Sequence, residues 1–258
     1  MIKLGPAGTS GLGYPDGLAH CKESGLGALE VEFTHGVHMN NATASEVGKL
    51  AKQANVDLSV HAPYYINLSS EEKPKVTASK KRILMSAERA HYLGAKYVVF
   101  HAGYYGKKDP EDVYLIMVKE LTDMQNTIKA KKWNVVLAPE TTGKASQFAG
   151  LDDLLKLRKE IKCEICVDFA HIMAREQGKT TYDKILDKLK GIKHLHTHFS
   201  GIEWTAKGEK RHLLTQAKDI KELLNSLIKH KADATIINES PDPFGDALKT
   251  KKILDSLR

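Results

Sequence analysis

Short apolar runs alternate with longer amphipathic stretches along the whole chain. The runs are Ile2–Leu4, Ala28–Phe33, Asp57–His61, Lys96–His101, Asn134–Glu140, Glu164–Asp168, Ile192–His196 and Ala234–Glu239. They are almost continuously apolar, as parallel strands covered on both faces must be. Between them a helical period spans Thr43–Ala54, Pro74–Leu93, Pro110–Lys131, Leu151–Ile161, Tyr182–Leu189, Ala217–His230 and Pro243–Leu257. The interval around Pro15–Ser24 carries this period most weakly. Asp109-Pro110 reads as an N-cap with proline at the first helical position. Gly25, Gly94 and Gly178 suit loops or helix ends.

Eight strand–helix units in 258 residues, with no Pro/Gly/Ser-rich linker between them, predict one α/β domain over residues 1–258, a (β/α)8 TIM barrel. A doubly wound sheet is the alternative. It would need a break in the repeat and a glycine-rich phosphate turn after the first strand. Gly5-Pro6-Ala7-Gly8 matches neither G-x-G-x-x-G nor the P-loop pattern.

Composition sharpens this modestly. The chain is 41% hydrophobic and 28% charged, a globular balance rather than a disordered one. No apolar run approaches the roughly 18 residues of a membrane helix. Its beginning has no charged segment followed by an apolar one, so no signal peptide is expected. The net charge is +7, from 33 Lys and 6 Arg against 32 acidic residues. Lysine-heavy excess suits point contacts to phosphates rather than base-edge readout, and it suits a solvated surface equally well. Cys163 and Cys166 form a C-x-x-C inside an apolar run; three apart on a strand, they face opposite sides and cannot chelate one ion together. With Cys21 they read as reduced, buried thiols, which points to the cytoplasm.

The chemistry gathers at the ends of the runs. In a barrel the C-terminal strand ends form the functional face. Here they carry His61, His101, Glu140, Asp168 with His171 beyond it, His196, and Glu239. One such residue would be ordinary strand-end polarity. Six consecutive strand ends would bring several carboxylates together, which repel without cations. Histidine mixed with carboxylate is a donor set for divalent metals, and with no cysteine in it the site is a nitrogen/oxygen one, as in hydrolytic enzymes.

At this level of detail the sequence resembles endonuclease IV, the apurinic/apyrimidinic endonuclease family of the xylose-isomerase-like TIM barrels. His61-Ala62-Pro63-Tyr64-Tyr65-Ile66-Asn67-Leu68 is similar to that family's H-x-x-Y-x-I-N-L segment. Phe100-His101-Ala102-Gly103 resembles its F-H-x-G. Glu140-Thr141-Thr142-Gly143 resembles its E-x-T-x-G with a one-residue shift, and Asp168-Phe169-Ala170-His171 its D-x-x-H. The resemblance implies two or three divalent ions, zinc foremost, with manganese or iron as alternatives. One would be held by His61, His101 and Glu140. A second would be held by Glu140, Asp168, His196 and Glu239, with Glu140 bridging.

A third ion would use His171, His212 and an aspartate two residues before that histidine, where this chain has Lys210. An ammonium has no lone pair to give. Glu209 shifting in, His198 reaching over, a water, or loss of the ion are the possible outcomes. The family's DNA-inserting arginine is also missing after Phe33-Thr34, where His38 or Met39 would have to serve, while Tyr64 matches a residue that probes the lesion. The implied activity is cleavage of duplex DNA on the 5′ side of abasic sites by a metal-activated hydroxide, with the enzyme a monomer. A sugar isomerase or epimerase shares the Glu/Asp/His/Glu quartet and remains the rival reading, as does a DNA-binding homologue impaired at Lys210.

Overall fold

The computed structural model describes residues 1–257. Eight parallel strands, each followed by at least one helix, build the frame: Ile2–Pro6, Ala28–Glu32, Asp57–His61, Tyr97–Phe100, Val136–Pro139, Cys166–Asp168, Leu195–Phe199 and Ala234–Asn238. They form two four-stranded sheets. The edges of these sheets meet at two parallel bridges, Ala7 with Glu30 and Glu140 with Cys166. The strand order therefore follows the chain, as the eightfold repeat predicts.

Alternation explains why the runs look apolar. In Ala28–Glu32, Leu29 and Val31 pack into the core between strands and helices, while Glu30 and Glu32 belong to the opposite face, which lines the lumen. The lumen's own apolar cluster is small: Tyr97, Val99, Ala138 and Cys166. The weakly patterned first interval is a helix, Tyr14–Ser24, with a proline in its first turn and left-handed Gly25 closing it. Asp109 caps Pro110–Ala130 through its side chain, as expected.

Three elements escape the repeat, and all sit over the strand ends. A short helix, Phe169–Arg175, follows the sixth strand directly. An antiparallel hairpin, Gly201–Thr205 with Gly208–Leu213, follows the seventh. A two-residue ribbon ties Gly103–Tyr104 to Gln147–Phe148. The seventh strand is also displaced: expected over Ile192–His196, it runs Leu195–Phe199. Among the described residues no helix is long and apolar enough to cross a membrane.

Candidate metal centre

Glu140 stands at the middle of the strand-end cluster, on the seam between the two sheets, and is fully enclosed. Its Oε2 lies 3.2 Å from His61 Nε2 and 3.1 Å from His101 Nε2. Its Oε1 lies 3.0 Å from His171 Nδ1 and 3.4 Å from His198 Nδ1. One carboxylate thus faces two sets of imidazoles. Among the described residues five groups of donors follow, each with ligand atoms within 4.8 Å of one another: His61, His101 and Glu140; Glu140, Asp168, His198 and Glu239; His171, Glu209 and His212; Cys166, His196 and His198; and Glu30, Glu32 and Glu239.

Local structure fixes these side chains. Asp168 caps the short helix, its Oδ1 accepting from the His171 backbone N–H at 2.7 Å, and so sets His171 one turn above itself. The hairpin returns Glu209 and His212 over the cluster. It can do so because Gly143 and Gly208 leave no side chain between the two loops: a Cβ on Gly208 would stand 2.3 Å from the Gly143 carbonyl oxygen. The Glu209 N–H donates to that same carbonyl at 3.0 Å. Arg175 ties down the neighbouring loop, donating from one Nη1 to the carbonyls of Lys144 and Gln147.

Ring orientation is set from behind. His61 Nδ1 lies 2.8 Å from the Ala62 carbonyl, and His171 Nδ1 lies 3.0 Å from the Thr141 carbonyl. His212 Nδ1 sits between Ser200 Oγ at 3.0 Å and the Glu239 carbonyl at 3.2 Å. A carbonyl can only accept, so Nδ1 of His61 and of His171 carries a proton, and Nε2, which faces the cluster, is the nitrogen left to give a lone pair to an ion. The same assignment suits His212. This is the orientation that ligating histidines take from their outer partners.

Burial opposes charge on Glu140, but the imidazoles of His101 and His198 outweigh it and hold the carboxyl well below its usual range. Glu239 is brought down to about 2 against the same burial cost, chiefly by His198. His61 is driven up to about 10: burial disfavours its cation, and the Glu140 hydrogen bond with the charge of Glu32 overcomes this. Several buried polar atoms have no hydrogen bond among the described residues, including Glu140 Oε1, Asp168 Oδ2, Glu32 Oε1 and both ring nitrogens of His198. Orphaned oxygens and nitrogens converging in this way fit divalent cations, which would satisfy them together.

The site differs from expectation at several residues. His198, not His196, is grouped with Glu140, Asp168 and Glu239; His196 falls in a separate group with Cys166 and His198. The displaced seventh strand pairs Asp168 with His198 and Cys166 with His196, so His196 lies one layer deeper. There it contacts Glu30 and stacks on Tyr97, and it lines a cavity of about 690 Å³ at the opposite end of the barrel. Cys166 forms part of the cluster's floor, its sulfur within 4.8 Å of ring nitrogens of His196 and His198.

At the hairpin, Glu209 faces His171 Nε2 at 3.4 Å, while Lys210 turns away to Glu203 at 2.6 Å. Tyr64 stands at the mouth, half exposed, its ring 5.7 Å from that of His61. It lines a cavity of about 400 Å³ together with His101, Lys144 and Glu239. His38 is exposed in the loop after the second strand and does not line that cavity. Sequence reasoning missed Glu30 and Glu32. Burial raises the Glu32 carboxyl to about 8. Their signal was two glutamates two apart in an apolar strand.

Residues 18–258 match the family described as xylose isomerase-like TIM barrel, and the chain belongs to that family. It is 37% identical over 244 residues to an uncharacterized protein of Methanocaldococcus jannaschii, covering 90% of this chain and 88% of that protein. It is 30% identical over 139 residues to a probable endonuclease 4 of Mycoplasmopsis synoviae, a match spanning 52% of this chain and 48% of the other. Among solved structures, endonuclease IV from Thermus thermophilus superposes with a TM-score of 0.70 at 20% identity, covering 99% of this chain and 98% of that one. An L-ribulose 3-epimerase superposes with a TM-score of 0.72 at 13% identity, covering 99% and 95%. At such identities the superpositions establish the fold alone.

Proposed function

We propose that the protein is a metal-dependent endonuclease that hydrolyses the phosphodiester on the 5′ side of abasic sites in duplex DNA. The observation that carries this reading is the position of Glu140, whose two oxygens face separate histidine sets. A sugar epimerase needs only the quartet of Glu140, Asp168, His198 and Glu239. His61 and His101 add a second set of donors on the other side of the shared carboxylate, and His171, Glu209 and His212 add a third.

Ions held by these groups, zinc foremost, would supply Lewis-acid charge for a phosphoryl oxygen and a leaving oxygen, and an activated water. The chain supplies the rest. Glu140 holds the two principal donor sets in register. The carbonyls behind His61 and His171 keep their Nε2 atoms aimed inward. Lys144, in the wall of the mouth, places a cation beside an entering phosphate. Tyr64 offers a ring at the rim where an unstacked sugar would enter, and an abasic nucleotide is the least costly to extrude. Glu209 in place of the expected aspartate restores a carboxylate to the third set, which argues against a homologue impaired at Lys210.

The test is incision of a labelled duplex carrying one tetrahydrofuran abasic analogue, with the protein loaded in turn with zinc, manganese and iron. A single cut leaving a 3′-hydroxyl is expected. No cut with any of these ions overturns the proposal. One ion per chain with turnover of a free ketose would establish the epimerase instead, and salt-sensitive binding without a cut would establish an inert binder.

A further inference from the structure

We propose that Glu30 is a positioning residue for the metal centre: its carboxylate accepts from Nε2–H of His198 so that Nδ1 is the ligating atom, and Ser59 and His196 hold that carboxylate in place. The proposal rests on the reading that the strand-end cluster holds ions. It concerns a layer of the barrel beneath the ligands themselves.

His198 is the exception among the cluster's histidines. His61 and His171 turn Nδ1 to a main-chain carbonyl and present Nε2. His198 presents Nδ1, 3.2 Å from Glu239 Oε1 and 3.4 Å from Glu140 Oε1. Its Nε2 points down the lumen to Glu30 Oε1, 2.7 Å away. The contact falls short of hydrogen-bond alignment, since neither atom has a hydrogen bond among the described residues. Ligation through Nδ1 obliges Nε2 to carry the proton, and Glu30 is the carboxylate within reach of it.

Glu30 is itself anchored. Ser59, its in-register neighbour on the adjacent strand, donates from Oγ to Glu30 Oε2 at 2.6 Å. His196 Nε2 lies 3.1 Å from the same oxygen. The His196 ring is in turn stacked on Tyr97, with centroids 4.7 Å apart and planes at 19°. Three strands thus contribute to one buried polar layer directly below the ligand layer. Glu30 is wholly buried, and burying a carboxylate is costly unless it is paired. An apolar residue at this lumen position would avoid that cost. The arrangement is accounted for if the carboxylate fixes the tautomer of a ligand. It also assigns a role to His196, which lies one layer below Glu140, Asp168 and Glu239.

The experiment compares zinc-loaded wild type, Glu30→Gln, His198→Ala and the double variant. Zinc affinity is read by competition with a chromogenic chelator, and histidine tautomers by long-range proton–nitrogen NMR. Wild type should show His198 bound through Nδ1 and protonated at Nε2. Glu30→Gln should weaken one ion by roughly 10–100-fold. The ion held by His61 and His101 should change by less than about threefold, and Glu30→Gln should add nothing once His198 is gone. Unchanged zinc affinity in Glu30→Gln, or ligation of His198 through Nε2, overturns the proposal. Should Glu30→Gln not fold, Ser59→Ala must weaken the same ion, by roughly threefold to tenfold, and an unchanged affinity there refutes it equally. A wild-type protein that takes up no zinc, manganese or iron would instead sink the metal centre on which the proposal stands.

Discussion

Glu140→Gln is the sharpest perturbation of the centre. The carboxylate contacts four imidazoles, at 3.2 and 3.1 Å through one oxygen and at 3.0 and 3.4 Å through the other. An amide keeps the shape but has one acceptor oxygen and no charge, so it cannot serve both sides. In metal-stripped protein, removing one partner of a buried ion pair costs about 3–5 kcal/mol. For a chain of this size that lowers the melting temperature by roughly 6–20 °C. The loss should be largest near pH 6, where His61, His171 and His198 keep their protons, and smaller at pH 8, where those freed of their partner can shed them. With ions present, losing a shared ligand should cut single-turnover incision of the tetrahydrofuran duplex by at least roughly 10²–10³-fold. Elemental analysis should show fewer ions per chain. A variant that keeps its full ion complement and cuts within about tenfold of wild type would refute the shared-ligand assignment.

Four further outcomes are expected. His198→Ala should lose an ion and nearly all incision, whereas His196→Ala should keep the ion count and lose no more than about tenfold, as an outer-layer residue would; equal effects in the two, by elemental analysis and incision, would place His196 among the ligands. Lys210→Asp should leave the number of bound ions unchanged while Glu209→Gln lowers it, and an added ion in Lys210→Asp would show that Glu209 is not the ligand. Because His61 is held at about 10 in the folded chain, its contribution to the stability of metal-stripped protein is complete below its unfolded value near 6.5 and is lost as pH rises through 10; thermal melts should show this fall, and added zinc, which needs neutral imidazole, should reverse it. Affinity for duplex should drop steeply on a log–log plot against salt, and a flat plot would remove phosphate binding as the role of the lysine excess.

The frame was legible because eight buried parallel strands leave eight apolar runs, and strands that follow the chain in order leave no choice of topology. Five of the clustered positions, His61, His101, Glu140, Asp168 and Glu239, were legible because each ends its run. The different placement of His196 has a physical origin. Leu195-His196-Thr197-His198-Phe199 places two histidines two apart, on one face of one strand. Which of them reaches the mouth depends on register with the neighbours, and a shift of two residues keeps the face while changing the layer. Only the register with the neighbouring sixth strand, Asp168 beside His198, decides it. The hairpin was illegible for a different reason. Its strands are short and largely polar, and Glu209 reaches His171 because Gly143 lets two distant loops touch. Glu30 and Glu32 were in plain view, as acids inside an apolar run. A barrel lumen inverts the usual meaning of such acids: the face away from the helices is not the solvent face, so a glutamate there needs a partner rather than water. For Glu30 the partners are Ser59, His196 and His198. Alternating glutamate in a barrel strand is therefore better taken as part of the chemistry than as an interruption of the core.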